Sequence, residues 1–193
     1  LDQPNARSSH LQPTPRGGGV SFVLVASIVS ALTSIGIIGS ASVAPALILA
    51  PLIALPLALV GFLDDFHNLP VSLRYAAQIV TALVVILVSP LFTPAVSQLP
   101  FYLLLIVAVT AVINFTNFMD GLDGLVASCM ATAIISASYS LASPLPIWSL
   151  VGALFGFLVW NWSPAKIFMG DVGSTFLGAV FALLVLQATT WAD

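Results

Sequence analysis

Charged residues are so sparse in this 193-residue chain that four long stretches carry none: 17–63, 75–119, 124–165 and 172–192. A membrane-spanning helix needs roughly 20 mostly apolar residues. Each of the first three stretches has room for two such helices and a turn, and the fourth for one. Of all residues, 60% are hydrophobic and 6% charged, with a mean hydropathy of +1.13. An ordinary soluble domain is about 25% charged, so a water-soluble globule is excluded. The single cysteine excludes a disulfide framework. Four Lys/Arg are too few for a nucleic-acid face, and no nucleic-acid partner is expected.

Turn signals divide the long stretches at Gly39-Ser40-Ala41-Ser42, between Pro90 and Pro100, and at Ser143-Pro144-Leu145-Pro146. The expected spans are 20–39, 43–63, 73–90, 100–119, 125–142, 147–163 and 174–192. The fold class is therefore all-α, a polytopic membrane helix bundle of about seven transmembrane helices. A single transmembrane domain covers 1–193 and is expected to be incomplete at both ends. Pro45, Pro51 and Pro56 predict a bent or irregular second span.

Two spans separate each charged cluster from the next, so the clusters share one face of the membrane. They are Asp2, Arg7 and Arg16; Asp64, Asp65 and Arg74; Asp120 and Asp123; and Lys166 and Asp171. All four cations lie on that face, which the positive-inside rule makes cytoplasmic. Asp193 reads as a solvated tail charge. For Asp2, Arg7 and Arg74, a solvated loop charge and a role in a site stand level.

Carboxylates at the ends of spans are costly and tend to mark function. Asp64-Asp65 closes a span within Gly61-Phe62-Leu63-Asp64-Asp65-Phe66-His67-Asn68. Adjacent carboxylates repel unless a cation or shared proton compensates, and Mg²⁺ is held by carboxylates together with substrate phosphates. The run from Asn114 to Gly124 combines Asn114, Asn117, Asp120 and Asp123 with two glycines. Its amides suit a nucleobase or can orient carboxylates, and its acids suit a metal. Before the last span, Lys166, Asp171, Gly173 and Ser174 combine a cation, a carboxylate and a helix start whose free N–H groups favour phosphate. In the opening loop, His10 and Arg16 suit an anionic substrate or lipid headgroup. Asn161 falls at the same end of the sixth span. Cys129 is mid-span and reads as packing; His67 reads equally as a loop residue or a neighbour of a metal site. Trp148, Trp160, Trp162 and Trp191 fall near span ends, as in an interfacial belt.

Four segments, LDQPNARSSHLQPTPRGGG, GFLDDFHNLP, NFTNFMDGLDG and PAKIFMGDVGST, together resemble the polyprenyl-phosphate N-acetylhexosamine-1-phosphate transferase family. The first segment is most similar to the bacterial branch that loads a simple N-acetylhexosamine for O-antigen or teichoic acid. The resemblance implies an enzyme of the bacterial inner membrane with its active face cytoplasmic. It would move a sugar-1-phosphate from a UDP-N-acetylhexosamine to undecaprenyl or another polyprenyl phosphate, releasing UMP, with Mg²⁺ or Mn²⁺ in its place. By the same resemblance, Asp171 would be a metal ligand. Asp64 and Asp65 would serve the metal and the lipid phosphate, one of them as a base. Asn117 and Asp120 would line the site, Asp123 and the Leu122 backbone would meet uracil, and Asn161 and Phe168 would line the nucleotide site. An oligomer is compatible with all of this. Family members also carry a span before the opening loop, and further spans with a His-containing loop after residue 193.

Four rivals fit less well, one of them a CDP-alcohol phosphotransferase, which needs a DG…AR…G…D…D run that is absent. An intramembrane prenyltransferase needs DxxxD-type motifs, and this chain has DDxxN and DGLDG. A cation-coupled transporter should place its carboxylates near the midplane, often within a repeat. An inactive scaffold would share the motifs without turnover.

Overall fold

A computed structural model describes residues 13–39 and 45–188. Among them the chain forms seven α-helices and no strand: α1 Val20–Ser34, α2 Pro45–His67, α3 Val71–Leu87, α4 Leu99–Phe118, α5 Leu125–Ser140, α6 Leu145–Asn161 and α7 Asp171–Gln187. A 3₁₀ turn, Val96–Gln98, leads into α4. Two segments, Pro45–His67 and Val96–Phe118, are long and apolar enough to cross a membrane. The other five helices are apolar but shorter, at 15 to 17 residues.

The central helix is α7, which touches α1, α2, α3, α4 and α5. Every residue from Val172 to Val180 is buried. Small residues make that position possible, since close approach of helices requires little side chain between backbones. A Cβ on Gly178 would come within 2.8 Å of the Ile113 Cα on α4. A Cβ on Gly19, at the start of α1, would come within 2.5 Å of the Gly173 Cα. On the outer surface of α4, Leu103, Leu104 and Val107 are exposed, an arrangement suited to an apolar solvent.

Pro51 and Pro56 lie inside α2. Three features differ from the sequence expectations. Helix α2 continues past Leu63 to His67, so Asp64 and Asp65 belong to its last turn and a half. It ends where Asn68 adopts a left-handed φ of 47° and Pro70 follows. Helix α7 starts at Asp171, three residues before the expected span. Cys129, expected to be packed, is exposed on the outer side of α5.

Hydrogen bonds draw the charged helix ends together. Gly18 N–H donates to Phe168 O, Phe168 N–H to Pro15 O, and Gly19 N–H to Met169 O. The described parts of all four clusters therefore meet at one end of the bundle. Asp2, Arg7, His10, Trp191 and Asp193 lie outside the described residues.

Candidate active site

The two adjacent carboxylates on α2 are about 100° apart around the helix, and they face different neighbours. Asp64 is buried. Its Oδ1 accepts the Leu69 N–H at 2.6 Å and its Oδ2 accepts Arg74 Nη1 at 2.9 Å. Asp65 turns to α7, where Oδ1 and Oδ2 accept the N–H groups of Asp171 and Val172 at 3.2 and 3.3 Å. Asp65 thus acts as the N-cap of α7, whose own cap position, Gly170, supplies no side chain. This corrects the expectation that the start of α7 offers free N–H groups to a phosphate. Asp65 takes the first two, and Gly170 O takes those of Gly173 and Ser174. Ser174 lies inside the first turn, with its Oγ donating to Gly170 O.

Asp171 presents its side chain to the other elements. Its carboxylate is within hydrogen-bond reach of the Asn117 amide and the Asp64 carboxylate, and lies 4.0 Å from Arg74 Nη1. Asp120, in the turn after α4, accepts the Gly170 N–H and faces Asp171, Arg16 and Asp65. Burial, reinforced by the neighbouring Asp171 charge, pushes the Asp120 carboxyl up to about 7. Below about pH 4 this carboxyl is protonated in folded and unfolded chains alike, and its burial carries no ionisation penalty. Between about 4 and 7 the unfolded chain ionises first and folded stability falls as pH rises; above about 7 the loss is complete. Asp120→Asn removes the penalty. Its gain in unfolding temperature, measured in detergent with chelator, should grow with pH and level off above about 7. A gain independent of pH would overturn this account.

Two sequence-predicted residues brace the loops. Asp123 Oδ2 accepts the Ala165 N–H at 3.0 Å. Asn161 is buried, its Oδ1 accepting the Gly124 N–H at 3.1 Å and its Nδ2 donating to Ile167 O at 2.9 Å. Gly124 has φ 71°, a conformation that favours glycine at this clip. Both residues hold the α4–α5 turn against the segment before α7. Phe168 is half-buried on that segment. Lys166 is exposed, with Nζ 5.5 Å above the Trp160 ring, and Leu122 is exposed at the turn. Arg16 lies close to Asp65 and Asp120.

Between α2, α3, α4 and α7 lies a cavity of about 410 Å³. Asp64, Arg74, Asn117 and Asp171 form its charged end, and Leu57, Val60, Val71 and Phe118 contribute apolar wall. Gln78 and Asn114 also line it. Of the residues expected from sequence, Asp64, Asn117 and Asp171 meet in the cavity, while Asp65 and Asp120 stand behind Asp171. Lys166 and Leu122 are not among its lining residues. Sequence reading did not single out Arg74 and Gln78 as a pair. The available signal was their i, i+4 spacing, which puts both on one side of α3.

A sequence model described as Glycosyl transferase family 4 matches residues 46–189. The chain belongs to glycosyl transferase family 4. The matched segment holds every charged residue lining the cavity, whereas Arg16 lies ahead of it. The chain is 35% identical to the decaprenyl-phosphate N-acetylglucosaminephosphotransferase of Mycolicibacterium smegmatis, an alignment covering 91% of the chain and 50% of the relative. It is 33% identical to the protein of the same name from Mycobacterium tuberculosis, covering 93% and 51%. It is 35% identical to the phospho-N-acetylmuramoyl-pentapeptide-transferase of Streptococcus pyogenes serotype M12, covering 89% and 58%. The chain spans about half the length of these curated relatives.

Proposed function

We propose that the family 4 protein containing this chain transfers an N-acetylhexosamine-1-phosphate from a UDP-sugar to a polyprenyl phosphate at the cytoplasmic face of a bacterial inner membrane. The observation that carries this reading is the cavity itself. Its charged end suits a phosphate, and its apolar wall suits the first carbons of a lipid. The relatives' names supply the reaction class. The bundle would cross the membrane seven times, its shorter helices reaching across where neighbours cover their ends.

The donor set fits a divalent cation. Among the described residues, Asp64, Asp65, Asp120 and Asp171 face two guanidiniums, Arg16 and Arg74, leaving the cluster short of positive charge. No three metal-ligating side chains form a ready-made cage there. Mg²⁺ commonly takes only one or two carboxylates and completes its shell with substrate phosphates and water. Asp171 and Asp64 would hold it, and when bound it would neutralise the diphosphate of the donor. Arg74, which lines the cavity beside Asp64, would orient the acceptor phosphate. An acceptor oxygen attacks the phosphorus bearing the sugar, a new P–O bond forms, the bond to the UMP oxygen breaks, and UMP leaves with that electron pair. An acceptor phosphate is anionic near neutral pH, and such transfers depend chiefly on positioning and charge. Asn117 would hold Asp171 in orientation throughout. Asp123 and Asn161 would fix the loops that meet the nucleoside, with Phe168 and the Leu122 backbone contributing contacts there.

The test uses the complete reading frame in membranes, with undecaprenyl phosphate and labelled UDP-N-acetylhexosamines. Lipid-linked sugar should accumulate in step with UMP. Product accompanied by UDP, or no product from any UDP-N-acetylhexosamine, overturns the proposal. A transporter is disfavoured by the gathering of the carboxylates at one end of the bundle.

A further inference from the structure

Gln78 on α3 and Asn114 on α4 exchange hydrogen bonds through their side-chain amides. Gln78 Nε2 donates to Asn114 Oδ1 at 3.1 Å, and Asn114 Nδ2 donates to Gln78 Oε1 at 2.5 Å. A third bond, from Asn114 Nδ2 to Thr110 O at 2.8 Å, fixes the asparagine against its own helix. Gln78 is buried, Asn114 is exposed, and both residues line the cavity. A buried amide such as that of Gln78 is costly unless its partners are in place, so its pairing with Asn114 is strongly preferred over leaving it unbonded.

The register of the pair gives it a consequence. Gln78 lies one helical turn, about 6 Å, below Arg74 on α3. Asn114 lies one turn from Asn117 on α4. Fixing 78 against 114 therefore fixes the rotation of both helices and sets Arg74 opposite Asn117 across the cavity. Arg74 needs such help. Its Nη1 is drawn to Asp64, while its Nε is buried and without a hydrogen-bond partner. We infer that Gln78 and Asn114 are positioning residues, a latch between α3 and α4 that aims the Arg74 guanidinium and the Asn117 amide at the reacting phosphates. This rests on the phosphosugar-transfer reading above for its activity readout. It goes beyond that reading by assigning a role to two residues that touch no charged group.

A bond serving only to hold the helices together predicts that activity follows stability. A latch predicts that the two separate. Gln78→Leu and Asn114→Leu each leave one amide unpaired and should lower both stability and kcat. Replacing both amides by apolar groups is close to neutral for stability. The double variant Gln78→Leu/Asn114→Leu should therefore regain its unfolding temperature while kcat stays at least about tenfold down, since misplacement by about 1 Å can cost about 100-fold. The KM for the UDP-sugar should change by less than about twofold. The exchange Gln78→Asn/Asn114→Gln conserves the summed side-chain length and should restore kcat to within about threefold. Recovery of kcat with stability in the double leucine variant would overturn the latch, as would an exchange no better than the single variants.

A second readout needs no turnover. Spin labels at Val71→Cys and Phe118→Cys, in a Cys129→Ser background of the full-length protein, report the α3–α4 separation at the cavity mouth. The distance distribution should be narrow with the amide pair and broader in the double leucine variant; equal widths overturn the latch. An inactive parent protein with the expected distance change would sink the transfer reading and leave the latch standing.

Discussion

Asp171→Asn lowers the transfer rate by about 10³-fold or more while leaving the protein inserted and folded. The substitution is nearly isosteric, and an amide can still bond the Asn117 side chain. The backbone N–H of residue 171 also keeps its bond to Asp65, so α7 starts where it did. Only the charge is lost, and on the proposed function that charge has work that no neighbour can take over. Asp64 is engaged by Leu69 N–H and Arg74, and Asp65 by the first two N–H groups of α7. Preorganised charge at a phosphoryl-transfer site is commonly worth 10²- to 10³-fold per group, and on the proposed function the loss of a metal ligand would add to that. Initial rates, with size-exclusion profiles in detergent as the folding control, decide the matter. A folded Asp171→Asn protein retaining more than a tenth of turnover would remove Asp171 from the reacting groups.

Gly61→Ala, one methyl group outside the reacting atoms, should reduce transfer by about 100-fold. A Cβ on Gly61 would lie 2.5 Å from the Asp171 carbonyl oxygen and 2.8 Å from the Val172 nitrogen. Both obstacles are backbone, so no rotamer change makes room. Helices α2 and α7 must move apart at the point where Asp65 caps α7 and Asp64 faces Asp171. Overpacking of this kind costs about 1–3 kcal/mol. The functional loss should exceed the loss of stability, because about 1 Å of misplacement can cost 100-fold in rate. By contrast, alanine at Gly152 meets nothing within 4 Å and should leave turnover unchanged, with an unfolding temperature equal or slightly higher. Equal activity in the two glycine variants would mean that the α2–α7 approach does not position the site.

Much of the fold was legible because charge is so scarce. Asp64, Asp120 and Lys166 fall near helix ends, and apolar stretches between clusters became paired helices. The start of α7 was not legible. Ser174 looks locally like a cap, but the cap comes from Asp65, 106 residues away in sequence. No local window contains that information. The end of α2 was misjudged for a related reason: a run of two aspartates looks like a boundary, yet each finds a partner that lets the helix continue. In the site, Asp64, Asn117 and Asp171 stood out because polar residues are rare in such a chain. Asn161 stood out less and clips two backbone segments together. Gln78 looked ordinary and Arg74 read equally as a loop charge or a site residue, because only helix packing shows that they face the same space.

The central placement of α7 also bears on how the chain is made. Helices leave the ribosome in order, and the one that touches five others leaves last among the seven. Until it arrives, α1, α2 and α4 lack the helix they pack against, and Asp65 has no helix to cap. The site therefore cannot assemble stepwise with synthesis; it closes in one late event, when Asp171 reaches the groove left for it. A nascent chain stopped before residue 171 would hold most of the carboxylates without the arrangement that makes them useful, and would depend on the insertion machinery to keep its inner surfaces from other partners.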